Sequence, residues 1–188
     1  MNYRYLNAPE EPGFARVLDI YHAAFERDSR EPDERLVAEL RGEFRLPFHF
    51  LVVEEDGQVQ GFARFCEIPN SPYGFLIHIA MDEASRGSGH GSRLLQRVIE
   101  ELDPRPMLVE IDREGPVRRW YDRLGFCSLT ETYTQPSLHD DTPSVPYALC
   151  ASRPLVDAVD AVESFYSNVW ELDPGHPFVR DAVAGVKL

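Results

Sequence analysis

Ile77-His-Ile-Ala-Met-Asp-Glu-Ala-Ser-Arg-Gly-Ser-Gly-His-Gly-Ser-Arg-Leu-Leu-Gln-Arg-Val-Ile-Glu-Glu-Leu102 joins an apolar run to a helical pattern through a glycine-rich turn. Every residue from 75 to 81 except His78 is apolar or small, so both faces of this segment are expected to be buried, as in a central strand. From Ser92 onward Leu94, Leu95, Val98, Ile99 and Leu102 recur as one helical stripe, and Pro104 and Pro106 end it. Gly87, Gly89 and Gly91 lie between the two elements. Without a Cβ they can turn sharply and leave backbone N–H groups bare, and the first N–H groups of a helix also lack intrahelical acceptors.

Charges around this helix run against its dipole. A helix start favours carboxylates and a helix end favours cations, yet Arg86 and Arg93 flank the start while Glu100, Glu101 and Asp103 crowd the end. The pattern makes sense if an outside anion sits at the start, where partial positive charge, free donors and an arginine converge on a phosphate. A glycine-rich surface turn with incidental charges is the plainer alternative. A P-loop needs Lys-Ser/Thr after its last glycine, and His90-Gly91-Ser92 stands there instead. A dinucleotide fingerprint needs a third glycine where Ser92 or Leu94 is found. Arg86-Gly-Ser-Gly-His-Gly91 does match Arg/Gln-x-x-Gly-x-Gly/Ala, and it resembles the pyrophosphate-binding signature of the GNAT superfamily of acyl-CoA N-acyltransferases.

A chain of 188 residues with 43% hydrophobic content suffices for one domain with a core. No apolar run reaches signal or membrane-span length, so a protein of the cytoplasm with no membrane partner is expected. Cys66, Cys127 and Cys150 are odd in number and far apart, and no two histidines stand at i, i+4, which speaks against a disulfide framework and against a metal site. The cysteines read as small core residues. Net charge of −13 disfavours nucleic acid as a partner, because phosphate-backbone binders need clustered Lys and Arg.

Along the chain, 3–7 reads as a first strand, and Phe14, Val17, Leu18, Tyr21 and Phe25 form a helical face behind Pro12. Leu36, Val37 and Leu40 mark a second helix between Pro32 and Gly42. Segments 49–53 and 59–68 read as strands joined by a type I′ turn at Asp56-Gly57, with 75–81 as the third strand of a meander. After the glycine-loop helix come a strand at 107–111, expected parallel to 75–81, and a helix from Pro116 carrying Val117, Trp120, Tyr121 and Leu124 and closed by Gly125. Segments 126–134 and 145–152 close the sheet around a polar loop, 135–144.

This order of elements resembles the GNAT fold from end to end, and Tyr121-Asp-Arg-Leu-Gly-Phe126 is similar to that family's Tyr-x-x-x-Gly-Phe segment. The resemblance implies an α/β (α+β) domain over 1–153 with a mixed, mostly antiparallel sheet flanked by helices. Residues 154–188 lie beyond the family core and are expected as a helical extension packed on the same domain, with a cover over the acceptor site or a homodimer contact as the alternatives. It implies direct transfer of an acetyl group from acetyl-CoA to an amine of a small molecule or peptide, with no metal. Arg86, Gly87, Ser88, Gly89, His90, Gly91 and Ser92 would hold the pyrophosphate, and the edge at Ile79, Ala80 and Met81 would pair with the pantetheine arm. A backbone N–H near Met81 would stabilise the developing oxyanion. Tyr121 takes the place of the family's proton donor to the departing sulfur. A packing role for its ring is the alternative.

The sequence also departs from the family. Where an asparagine commonly stands seven residues before the tyrosine, this chain has Glu114. Glu110 is the candidate general base, with a solvent-facing strand end as the alternative. His78 shares a face with Leu76 and Ala80, which favours a satisfied core histidine over a base. Two other classes stay open: a module that binds acyl-CoA without turnover, and a different nucleotide-binding α/β protein.

Overall fold

A computed structural model of the chain describes residues 1–186. Its elements are β1 (Asn2–Leu6), α1 (Phe14–Ala24), α2 (Asp33–Leu40), β2 (Phe48–Glu55), β3 (Gln58–Glu67), β4 (Gly74–Met81) and α3 (His90–Leu102), then β5 (Met107–Ile111), α4 (Pro116–Arg123), β6 (Cys127–Gln135), β7 (Val145–Ala151), α5 (Ala158–Val169) and α6 (Pro177–Ala184). The strands form one sheet in the order β1-β2-β3-β4-β5-β7-β6, and β1–β2, β2–β3, β5–β7 and β7–β6 pair antiparallel. This is the mixed α/β architecture expected from the sequence.

Local chemistry accounts for the element boundaries. Asp56 and Gly57 both have positive φ, 50° and 76°, as a two-residue turn between paired Glu55 and Gln58 requires. Pro116 occupies the first turn of α4. Leu94, Leu95, Val98 and Leu102 are all buried along α3, each contributing about 1.5–3 kcal/mol of apolar transfer.

Contacts divide the chain into two compact units: Met1–Glu67 with Leu76–Glu101, and Ile68–Phe75 with the chain from Leu102 onward. In the first, α1 and α2 lay Phe14, Val17, Ile20, Tyr21, Leu36 and Leu40 against Phe50, Val52, Phe62 and Ala80. Charged residues sit inside it: Arg64 on β3 is 1% exposed and Glu39 on α2 3% exposed. All five N–H donors of Arg64 find acceptors. Nε and Nη2 reach the Glu39 carboxylate at 2.7 and 2.5 Å, Nη1 and Nη2 reach Glu31 at 2.7 and 2.9 Å, and Nη1 also donates to His78 Nδ1 at 3.0 Å. Because His78 Nδ1 is an acceptor, its proton sits on Nε2 and is donated to Ser29 O at 3.2 Å.

The second unit is built on β5, β7 and β6. Their register puts Glu110 opposite Leu149 and Val109 opposite Cys150, so these two pairs point to opposite faces. On the Glu110 face α5 packs Phe165 and Tyr166 against Tyr133, at ring separations of 5.8 and 5.0 Å, and Phe165 also meets Phe75 at 4.7 Å. The Tyr166 hydroxyl donates to Thr134 O at 3.0 Å and that of Tyr73 to Asp160 at 3.0 Å.

The Arg64 cluster makes stability depend on pH in two windows. Burial holds the His78 imidazole down, the Arg64 charge adds to this, and together they bring it from 6.5 to about 4. Burial pushes the Glu31 carboxyl up, but Arg64 outweighs this and brings it from 4.5 to about 2. A depressed histidine takes up its proton only on unfolding between pH 6.5 and 4, and a depressed carboxylate does so between 4.5 and 2, so stability falls with pH through both ranges. His78→Gln preserves an acceptor and a donor without a titrating ring and is expected to flatten the decline above about pH 5 in urea titrations. A slope equal to the parent's would remove His78 from this explanation. Arg64→Met strands two buried carboxylates and is expected to cost about 3–5 kcal/mol at neutral pH.

Candidate active site

The first unit contributes a rigid loop at the end of β4. Gly61 on β3 lets that end approach closely: a Cβ there would lie 2.4 Å from Met81 Sδ and 2.7 Å from Ala80 O. Asp82 N donates to Gln60 O at 2.8 Å, Asp82 Oδ1 caps the short 3-10 turn Glu83–Ser85 through Ala84 N, and Arg16 on α1 pairs with the same carboxylate. Ser85 Oγ donates to Gln60 at 2.6 Å, Ser88 Oγ to Ser85 O at 2.7 Å, and Arg86 Nε to Met81 O at 3.3 Å. These bonds fix the path of the chain before any ligand arrives.

Arg86, Gly87, Ser88 and Gly89 are exposed, as are Glu83 and Ala84 in the turn before them. Gly87 and Gly89 both have φ of +79°, and a Cβ on either would project into open space with no protein atom within 4 Å. That open space adjoins the first turn of α3, whose N–H groups have no intrahelical acceptors, and the first turn holds no acidic residue. The arrangement suits a phosphate group approaching the backbone, with the remaining N–H capacity of Arg86 beside it. His90 Nδ1 is buried without a partner among the described residues. The acids at the far end of α3 have a local explanation: Arg97 pairs with Glu101 at 2.5 Å and with Glu100 at 3.5 Å.

On β4 itself the expectation of two buried faces needs correction. Ala80 and Met81 are buried, but Ile77 and Ile79 are only half-buried. Alternation places these two on one face. An apolar strip beside the loop is therefore left partly open in this unit. His78 is a buried core histidine bonded to Arg64 and Ser29 O, and neither Arg64 nor its partners Glu31 and Glu39 were singled out from the sequence. A lone arginine within the apolar run Gly61-Phe-Ala-Arg-Phe-Cys66 was the available signal.

The second unit holds Glu110 and Tyr121, on opposite faces of β5. Glu110 is half-buried, and each of its carboxylate oxygens accepts a hydrogen bond: Oε1 from the Tyr133 hydroxyl and Oε2 from Gln135 Nε2 at 2.9 Å. It is not a strand end turned to solvent. Tyr133 and Gln135 were not picked out beforehand, because only the β6 register brings them to Glu110. Tyr121 is 3% exposed and stacks edge-on with Trp120 at 4.7 Å and Phe126 at 4.9 Å. Burial pushes its phenol well above the usual range, helped by the Cys150 thiol, so it stays protonated at neutral pH. Glu114 is exposed in the turn before α4. Cys66 and Cys150 are buried and Cys127 half-buried, all three free.

Comparisons with known proteins bear on the family and the fold. The chain is 28% identical over 76 residues to 5-NmdU N-acetyltransferase of Pseudomonas phage PaMx11, a match over 40% of this chain and 54% of that protein, so the chain spans about half the length of the curated relative it matches. A GNAT-family protein from Bacteroides thetaiotaomicron superposes with a TM-score of 0.77 at 20% identity, over 92% of this chain and all of the other. A Salmonella typhimurium structure containing its cofactor acetyl-CoA superposes with a TM-score of 0.55 at 23% identity, over 80% and 90% of the two chains. The family model described as Acetyltransferase (GNAT) family matches residues 14–126, from the first helix through the glycine loop to Phe126, and by that match the chain belongs to the GNAT acetyltransferase family.

Proposed function

We propose that this chain moves an acetyl group from acetyl-CoA directly to a primary amine of a small molecule or peptide. The observation that carries the reading is the preorganised loop at 86–92, open where a glycine Cβ would project and set at the start of a helix with no acid in its first turn. The thioester supplies an activated carbonyl. Donors from Arg86 to Ser92 hold the pyrophosphate, the strand edge at Ile79, Ala80 and Met81 pairs with the pantetheine arm, and a backbone N–H near Met81 stabilises charge on the carbonyl oxygen. Glu110 accepts the proton given up by the amine nitrogen as that nitrogen bonds to the carbonyl carbon. Tyr121 gives its proton to sulfur as the carbon–sulfur bond breaks, and solvent resets both groups.

The acceptor's chemistry is narrowed by charge. A net charge of −13 disfavours an amine carried on a polyanion and suits a cationic one. In the same reading residues 1–153 form the catalytic domain and 154–188 an extension. The aromatic contacts of α5 with Tyr133 support packing on its own domain over a dimer contact. Cytoplasmic placement fits the three free cysteines.

Three variants test separate parts of this reading. Gly89→Val is expected to abolish CoA binding in calorimetry, because its side chain would enter the space reserved for phosphate. Its positive φ adds strain of about 1–3 kcal/mol, so Gly57→Val, at φ +76° and also facing open space, serves as the control that keeps affinity. Unchanged CoA affinity in a folded Gly89→Val protein would sink the assignment of the loop. Tyr121→Phe is expected to lose about 10²-fold in turnover with CoA binding intact, whereas full turnover with chemistry rate-limiting would retire the hydroxyl as acid. Glu110→Gln is expected to lower the rate most at acidic pH, where the acceptor is an ammonium ion. A pH profile matching the parent's would assign proton removal to water.

A further inference from the structure

Gln135 closes β6 with its amide split between two environments. Its Nε2 donates to Glu110 Oε2 at 2.9 Å, and since a carboxylate only accepts, this bond fixes which end of the amide faces Glu110. The carbonyl Oε1 is buried with no partner among the described residues, on a side chain whose residue is 9% exposed. Tyr133, fully buried against Phe165 and Tyr166, donates to the other Glu110 oxygen. The carboxylate is thus oriented by two donors, and an unmet acceptor lies one amide away from it. Beyond Gln135 the chain enters the 136–144 loop, where Ser137, Asp140, Asp141 and Pro143 are exposed.

We infer that Gln135 selects and orients a primary amine: its carbonyl accepts one N–H of the acceptor while its NH₂ group holds Glu110 toward a second, an inference that rests on Glu110 being the base. A primary amine has two N–H groups and meets both demands. A secondary amine has one, so hydrogen bonding to Gln135 competes with loss of that proton to Glu110. Discrimination of this kind comes from a buried polar group that the wrong substrate leaves unpaired. Gln135 is a positioning residue, as is Tyr133.

The probes are n-butylamine and N-methylbutylamine, with the full chain saturated with acetyl-CoA. The parent is expected to favour n-butylamine about tenfold or more in kcat/KM, and Gln135→Leu to erase that ratio by slowing n-butylamine alone. Tyr133→Phe should move the acidic limb of the pH profile and leave the ratio. Gln135→Met repeats the comparison if Gln135→Leu fails to fold. Should neither amine turn over, the Gln135 side-chain NH₂ resonances of the CoA-bound protein are followed with methylammonium and tetramethylammonium chloride, and a saturable shift with the first alone supports the inference. A ratio unchanged by Gln135→Leu, or an equal or absent response to the two salts, overturns it and leaves an amide satisfied by water. If Glu110→Gln keeps the parent's pH profile while Gln135→Leu still erases the ratio, the base assignment fails and amine selection by Gln135 stands.

Discussion

A guanidinium can be buried only where its charge is balanced and every donor is met. Arg64 satisfies that condition by drawing on four separate segments: β3 that carries it, β4 through His78, α2 through Glu39, and the chain before α2 through Glu31. Each partner is then constrained in turn. Glu39 also accepts from Arg35 at 3.0 Å, and Glu31 N donates to the Tyr21 hydroxyl at 2.9 Å, which ties α1 to the same cluster. Burial of the His78 ring and the adjacent Arg64 charge outweigh the opposite pull of the Glu31 carboxylate. His78 is therefore held neutral, and its Nε2–H becomes available to fix Ser29. The orientation of β4 and of the α1–α2 connection follows from one residue's demand for acceptors.

That orientation matters because β4 leads straight into the glycine loop. The bonds from Gln60, Ser85 and Arg86 hold the loop's shape with protein groups alone, so under the proposed reading an anion would meet donors already aimed and need not order them. A helix start free of carboxylates loses a favourable contact with its own dipole, typically 0.3–1 kcal/mol each, and leaves that field for whatever binds there. The stability is supplied elsewhere in α3, by four buried aliphatic side chains.

Most of the fold was legible because its signals are local. Strand 107–111 was bounded to the residue, the Asp56-Gly57 turn and the Pro116 helix start declared themselves by backbone chemistry, and the stripe from Leu94 to Leu102 is read directly from spacing. The glycines, read with the apolar strand before them and the helical stripe after, likewise marked the loop. What sequence could not supply was pairing across distance: Arg64 meets Glu31 thirty-three residues away, and Glu110 meets Tyr133 and Gln135 at separations of 23 and 25. Only the register of β5, β7 and β6 decides that Gln135 reaches the carboxylate, and a slip of one residue would send it to the other face. The half-open Ile77 and Ile79 were missed for a related reason, since burial of a strand face depends on what another element lays over it.

The two faces of β5 give the proposed chemistry its order. Glu110 must be ionised to accept a proton, and Tyr121 must be protonated to give one. Side by side, a carboxylate would accept the phenol's hydrogen bond and weaken it as a donor to sulfur. Here the strand itself keeps them apart: Glu110 spends its lone pairs on Tyr133 and Gln135 on one face, while Tyr121 lies on the other, where burial and Cys150 hold its proton in place. A sequence that placed the base one residue earlier on β5, at Val109, would bring both groups to the same face and lose that division. In the proposed chemistry, proton removal from nitrogen and proton delivery to sulfur would fall to groups on different faces of one strand, because adjacent residues alternate.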